Sequence, residues 1–187
     1  LIPYLDQPGH VAFILKHPEY VRLREFLDSN YEMCATNPAS YKLLQDMYQE
    51  LLDANEGVDY FFLPTDGSYF LGMAHNSQCN EANLAKQLGS AGQVYVHFID
   101  ETGNFLRDHH RIELFWGQDP LKPEDVPSLP YYLINSFVRG PDFNQAYRIR
   151  KIPQILNTYI GGKEYLFPSY YNLPNTKRLH GDKPGEL

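Results

Sequence analysis

Apolar positions along the chain fall into two rhythms. In the stretch from Pro38 to Ala54, Leu44, Met47, Tyr48 and Leu51 recur at steps of three and four, the period of one face of an α-helix. Asn37 followed by Pro38 supplies an N-cap and a first-turn proline, and Asn55-Glu56-Gly57 supplies a stop, so a helix is predicted over residues 38–54. Leu84, Leu88, Ala91, Tyr95, Phe98, Thr102 and Phe105 repeat the pattern and predict one long helix over residues 81–107, tolerating Gly89 and Gly92 at some cost. A helix is also predicted over residues 19–27 behind Pro18. Another runs from Asp142 through residue 159, kinked or split at Pro153. The second rhythm is the short apolar run: residues 1–8, 58–63, 111–116, 131–138 and 164–168 read as strands, bounded mostly by Pro and Gly.

Strands separated by helices predict parallel βαβ units with right-handed crossovers. The length, 187 residues, is that of one domain and falls short of the roughly 200 to 250 residues of a closed (β/α)8 barrel. The chain opens on Leu1-Ile2-Pro3, without an initiator Met, and reads at once as a strand. The expectation is therefore a single α/β domain over residues 1–187, of TIM-barrel type but partial, covering about five of eight βα units and truncated at its N-terminus. Other segments or chains would then complete the barrel. There is no internal repeat, low-complexity tract or domain boundary.

Composition removes several function classes. With 23 acidic against 16 basic residues, and no basic run longer than Arg148-Ile149-Arg150-Lys151, the electrostatic footprint of a nucleic-acid binder is missing. No apolar run approaches the roughly 18 to 20 residues of a membrane span. Two cysteines, Cys34 and Cys79, allow at most one bridge, make no metal-type spacing, and are read as two buried or half-buried thiols. The histidines are scattered through different elements, so neither a metal site nor a cofactor is expected. A secreted or periplasmic location and a cytoplasmic one both stay open. Fifteen Tyr, eleven Phe and one Trp suit a core of large contacts or flat faces that stack on sugar rings.

In a parallel α/β array the carboxyl ends of the strands line the site. His10, Asp66, Trp116 to Asp119, Arg139 and Tyr170-Tyr171 all fall just past predicted strand ends, so they are expected on one rim. Asp66 is central, delivered by Tyr60-Phe61-Phe62-Leu63-Pro64-Thr65-Asp66-Gly67-Ser68-Tyr69-Phe70-Leu71-Gly72, and Tyr69 follows it closely. Each has a plainer reading beside the functional one: an Asp-Gly turn, a structural histidine, a packing tryptophan. His109-His110 at a helix end are dipole partners rather than ligands.

Residues 1–10, Phe13-Ile14-Leu15-Lys16-His17-Pro18-Glu19-Tyr20-Val21-Arg22-Leu23-Arg24-Glu25, Glu32-Met33-Cys34 with Asn37-Pro38, and residues 60–72 together resemble the central part of the family 20 glycoside hydrolases. The similarity is nearest to the hexosaminidase D type of β-N-acetylhexosaminidase. It is good over residues 1–72, moderate around Phe115-Trp116 and weak beyond residue 140. The resemblance implies a (β/α)8 barrel and a carbohydrate substrate, cleaved with help from the substrate's own acetamido group. It makes Asp66 the carboxylate that orients that group, and places His10 and Trp116 near it; Asp119, Tyr69, Arg139 and Tyr171 are candidates from position.

The family's His-x-Gly-Gly-Asp-Glu pattern reads here Phe62-Leu63-Pro64-Thr65-Asp66-Gly67, with glycine where the general acid belongs. Loss of a general acid typically forfeits about 10²- to 10⁴-fold in rate. Three consequences are open: a silent relative that only binds sugar, an acid supplied by Asp119, Glu113 or Glu101, or Asp66 itself turned acid. Thr65-Asp66-Gly67 with Cys79 is also similar to α-glucuronidase-like barrels. A second carboxylate facing Asp66 would favour an enzyme; Asp66 alone among aromatics would favour binding.

Overall fold

The computed structural model describes residues 1–137 and 141–155. Three parallel strands, β1 (Tyr60–Phe62), β2 (Ile112–Phe115) and β3 (Ile134–Asn135), lie side by side in chain order. The register sets Tyr60 against Ile112, Phe62 against Leu114, and Phe115 against Asn135. Two further segments extend this row by single parallel bridges: Tyr4 pairs with Phe62 on one side, and Gln154 with Asn135 on the other. Five neighbouring extended segments therefore follow one another in sequence order, the arrangement that βαβ connections produce.

Helices pack on one face of this row. The α1 turn (Ala12–Leu15) and a 3-10 turn at Pro18–Leu23 follow the first segment, in place of the longer helix expected over 19–27. The helix α2 spans Pro38–Ala54 as its pattern predicts, with the Asn37 side chain accepting the Ala39 amide at 3.0 Å. It meets the following layer through ring contacts of Tyr41 with Phe98 and Tyr48 with Phe105.

The single helix expected over 81–107 is two: α3 (Glu81–Leu88) and α4 (Ala91–Asp108). Gly89 takes φ +102, which ends α3, and the Ser90 hydroxyl accepts the Gln93 amide to begin α4. A hydrophobic period runs through such a joint because the face continues while the backbone restarts. Gly92 serves packing rather than being merely tolerated. A Cβ there would lie 1.8 Å from Asp125 Oδ2, and buried Asp125 also accepts from Ser90 Oγ, Gln93 Nε2 and the Lys122 amide.

The last helix, α5, covers Pro141–Arg150 and stops short of the predicted end at 159. Lys151 adopts φ +63, and the chain past Pro153 enters an extended bridge at Gln154; residues 156–159 of the expected helix lie outside the described residues. Strand β3 occupies only two residues of the run expected over 131–138. The strand expected over 164–168 lies outside the described residues. Side chains alternate across the sheet: Glu113 turns toward α4, where Thr102 Oγ1 donates to it at 3.3 Å, while Phe62 and Trp116 meet on the opposite face at 5.5 Å. No helix among the described residues is long and apolar enough to cross a membrane.

Candidate functional site

The site begins where two neighbouring segments end. Beyond β1 the chain stays paired with its neighbour, Leu63 donating to Leu114 and Pro64 accepting from Trp116. It then turns through Thr65 at φ +58 and Gly67 at φ +65, which puts Asp66 on the rim. On the adjacent segment the chain runs from Tyr4 through Pro8-Gly9 to His10, also at φ +58. A non-glycine residue in the left-handed region costs of order 1–2 kcal/mol, and here one such residue accompanies each strand end. His10 Nε2 lies 3.7 Å from Asp66 Oδ2, and the side chains are 41% and 27% exposed, open to a ligand.

Two glycines allow this approach. A Cβ on Gly9 would meet Gly67 O at 2.7 Å and Asp66 O at 2.8 Å, so the two loops touch backbone to backbone. A Cβ on Gly67 would lie 2.4 Å from both His10 Nε2 and the Tyr31 hydroxyl. The space that a side chain at 67 would need is held by an imidazole and a phenol. Position 67 is thus glycine by packing as well as by sequence.

Aromatic rings adjoin the pair. Tyr31 Oη is 3.3 Å from each ring nitrogen of His10, and its ring meets the imidazole edge-on. Tyr69, 65% exposed, lies parallel to Tyr31. Along the strand ends Phe62 touches Tyr4 and Trp116, and Trp116 touches Phe137. The Tyr4 hydroxyl donates to Asp6 at 2.6 Å. Burial, then the negative charges of neighbours that include Asp66, pushes the Tyr31 phenol up to about 12; Tyr4 is raised too, by burial and then Asp6. Both remain protonated hydrogen-bond donors at neutral pH. Carboxylates, imidazole, phenols and flat rings in one place suit a ligand that alternates hydroxyls or amides with apolar CH faces.

Beneath Tyr31 and Tyr69 lies a buried frame. Cys34 and Cys79 form a disulfide with both residues buried, which replaces the expectation of two thiols. Spacing could not reveal this, because 45 residues separate the pair. Glu81 accepts the Ala35 amide at 2.6 Å and the Gly72 amide at 2.7 Å, and Glu32 accepts the Phe70 amide at 3.1 Å. Burial raises all three neighbouring carboxyls, Glu81 to about 6, Glu32 to about 8 and Glu25 to about 10. Cys34, Cys79 and Glu81 approach one another as metal ligands would, but the sulfurs are bonded to each other and offer no thiolate.

Of the residues expected on the rim, the structure brings His10, Asp66 and Tyr69 into one cluster and sets Trp116 beside Phe62. Asp119 is exposed, beyond the end of β2. Arg139 and Tyr171, with Tyr170, lie outside the described residues. Two proposed stand-in acids are misplaced. Glu113 is buried on the helix side of the sheet, its pKa raised by desolvation, and Glu101 is exposed on α4 beside an outer cavity with Tyr41 and His97. His109 Nδ1 lies 2.8 Å from the Phe105 carbonyl at the end of α4, a helix-terminal role. Tyr4, Asp6, Tyr31 and Phe137 are additions. For Tyr4 and Asp6 a signal existed, since alternate residues of a strand share a face; Tyr31 sits in a polar irregular stretch that offers none.

No protein-family model matches the sequence, and neither does any curated protein. Solved structures do share the fold. A β-N-acetylhexosaminidase from Bacteroides fragilis is similar at TM-score 0.66 and 19% identity, over 84% of this chain and 33% of its own. A chitobiase from Flavobacterium johnsoniae matches at TM-score 0.63 and 19% identity, over 84% and 26%. A family 20 β-N-acetylhexosaminidase from Streptomyces coelicolor matches at TM-score 0.55 and 13% identity, over 83% and 29%. The chain therefore has the α/β fold of a segment of these glycoside hydrolases and spans about a third or less of their length.

Proposed function

We propose that this chain is part of a glycoside-hydrolase-like (β/α)8 domain whose rim binds glycans carrying N-acetylhexosamine, and that it binds them without efficient cleavage. The observation that carries this reading is position 67. A glycosidase of the resembling type needs a proton donor beside the orienting carboxylate, and here His10 and Tyr31 occupy that space. Asp66 would accept a hydrogen bond from the acetamido N–H, His10 would hold a ring hydroxyl, and Tyr31, Tyr69 and Trp116 would face the sugar's CH surfaces.

Trp116 is the sole tryptophan, so its fluorescence provides the test. Titration of the full chain with N-acetylglucosamine and its β-linked oligomers should change the emission saturably. Asp66→Asn should weaken binding by about 10- to 100-fold, the worth of a hydrogen bond to a charged group. No saturable change with any amino sugar would overturn the proposal.

Slow hydrolysis is the second reading. It is favoured by Asp6, a second carboxylate whose charge reaches the same Tyr31 phenol as that of Asp66. Turnover of chromogenic β-N-acetylhexosaminides that is lost in both Asp6→Asn and Asp66→Asn would select it.

A further inference from the structure

The loops bearing Tyr31 and Tyr69 are joined by buried carboxyls. Tyr31 precedes Glu32, Tyr69 precedes Phe70, and Glu32 accepts the Phe70 amide. Two residues on, Glu81 accepts the Gly72 amide and reaches back to the Ala35 amide, beside the disulfide. Glu25, only 1% exposed, interacts with both Glu32 and Glu81 and has the Ala74 amide as a nearby donor; neither of its carboxyl oxygens, nor Glu32 Oε1, makes a well-formed hydrogen bond as an anion. Two carboxylates cannot hydrogen-bond each other without a proton. Placed on Glu25, a proton makes that residue a donor to its neighbours, and the three carboxyls become one connected network.

Among the described residues, no basic side chain is engaged with the cluster. The Arg24 guanidinium donates to the Leu15 and Leu27 carbonyls, and His75 pairs with Asn80. The other titratable groups among the described residues that face it are the phenols of Tyr31, toward Glu32, and Tyr41, toward Glu81. With no basic partner among the described residues, protons neutralise the cluster, and each ionisation adds a buried like charge between the two loops.

We propose that Glu25, Glu32 and Glu81 form a proton-held clamp that positions the Tyr31–Tyr69 wall, closing the sugar-binding rim in acidic solution and loosening it as protons leave. Glu25, Glu32 and Glu81 are positioning residues; none of them touches the ligand. The link to sugar affinity rests on the glycan-binding reading above, whereas the clamp itself does not.

The test uses the full chain. Hydrogen-exchange protection of the Phe70 and Gly72 amides, corrected for intrinsic pH dependence and referred to the Tyr48 amide in α2, is followed from about pH 5 to pH 9, with N-acetylglucosamine affinity measured in parallel. Protection and affinity should fall together, by up to about tenfold per pH unit for one linked proton. Glu32→Gln, neutral at every pH and still able to accept the Phe70 amide, should flatten the upper part of both profiles. Wild-type protection that does not change with pH would overturn the clamp, as would a Glu32→Gln profile that still titrates like the wild type. Should that variant fail to fold, the wild-type profile decides alone. Protection that titrates in a protein that binds no sugar would support the clamp and refute the glycan reading.

Discussion

Tyr31 and Tyr69 lie ring over ring, their centroids 6.1 Å apart and their planes inclined by only 14°. One comes from an irregular loop before α2 and the other from the turn after β1, so neither holds its place through its own element. If the stacked pair is one wall of the site, removing either ring should weaken sugar binding. Aromatic stacking of this kind is worth about 0.5–1.5 kcal/mol. Tyr69→Ala should therefore cost about two- to tenfold in affinity with little change in Tm, whereas Tyr31→Ala should also release His10. Calorimetric titration beside thermal melting distinguishes the two effects.

Gly67 and Gly57 make a controlled comparison. Both have positive φ, +65 and +80, but a Cβ at 57 meets nothing within 4 Å, whereas one at 67 strikes His10 and Tyr31. Gly57→Ala should cost only backbone strain, about 1–2 kcal/mol. Gly67→Ala should cost that plus displacement of two rings, and should abolish sugar binding. Urea denaturation of both variants gives the difference, and equal costs would show that the rings yield freely.

Stability should fall as pH rises. The folded-state pKa values of Glu81, Glu32 and Glu25, about 6, 8 and 10, all lie above the ordinary value of 4.5. The folded chain thus keeps protons that the unfolded chain releases. Their contribution is fully present below about pH 4.5 and is lost in stages as pH passes through each folded value. Buried Glu113, also raised, acts in the same direction. Unfolding free energies at several pH values between about 5 and 9 should decline monotonically; a maximum near pH 8 would contradict the assignment.

Reduction should destabilise the loops around the site before the sheet. The Cys34–Cys79 bridge closes a loop of sequence separation 45, for which chain entropy gives about 4 kcal/mol and common experience about 2–4. Cys34→Ser/Cys79→Ser should lower stability by that order in denaturant titrations. It should also blunt sugar binding, because the bridge backs the segments that carry Tyr31 and Tyr69.

The sequence spoke most clearly where one force acts alone. The helix α2 has an N-cap, a first-turn proline, an apolar stripe and a stop, and its observed bounds are those predicted. The joint at Gly89-Ser90 was hidden because the apolar period of α3 and α4 continues across it. Asp66 and His10 were legible because strand ends in a parallel array point one way, and their neighbours follow from register. Tyr31 was not, because its place is fixed by backbone bonds from Met33 to Pro8 and from Val11 to Tyr31, which join segments distant in the chain. Nor could the pattern show that Glu113, inside a strand, turns toward the helices, where no hydrolytic acid is needed.

The contact of Gly9 with Gly67 constrains how this surface can change. Because main chain meets main chain there, no rotamer lies between the two loops to absorb a shift, and the spacing of His10 from Asp66 is inherited from strand register. A mutation at either glycine moves both His10 and Asp66 at once. The imidazole and the carboxylate therefore belong to one rigid unit, which drift at single positions cannot tune gradually, and a new chemistry on this rim has to come from the surrounding aromatic loops.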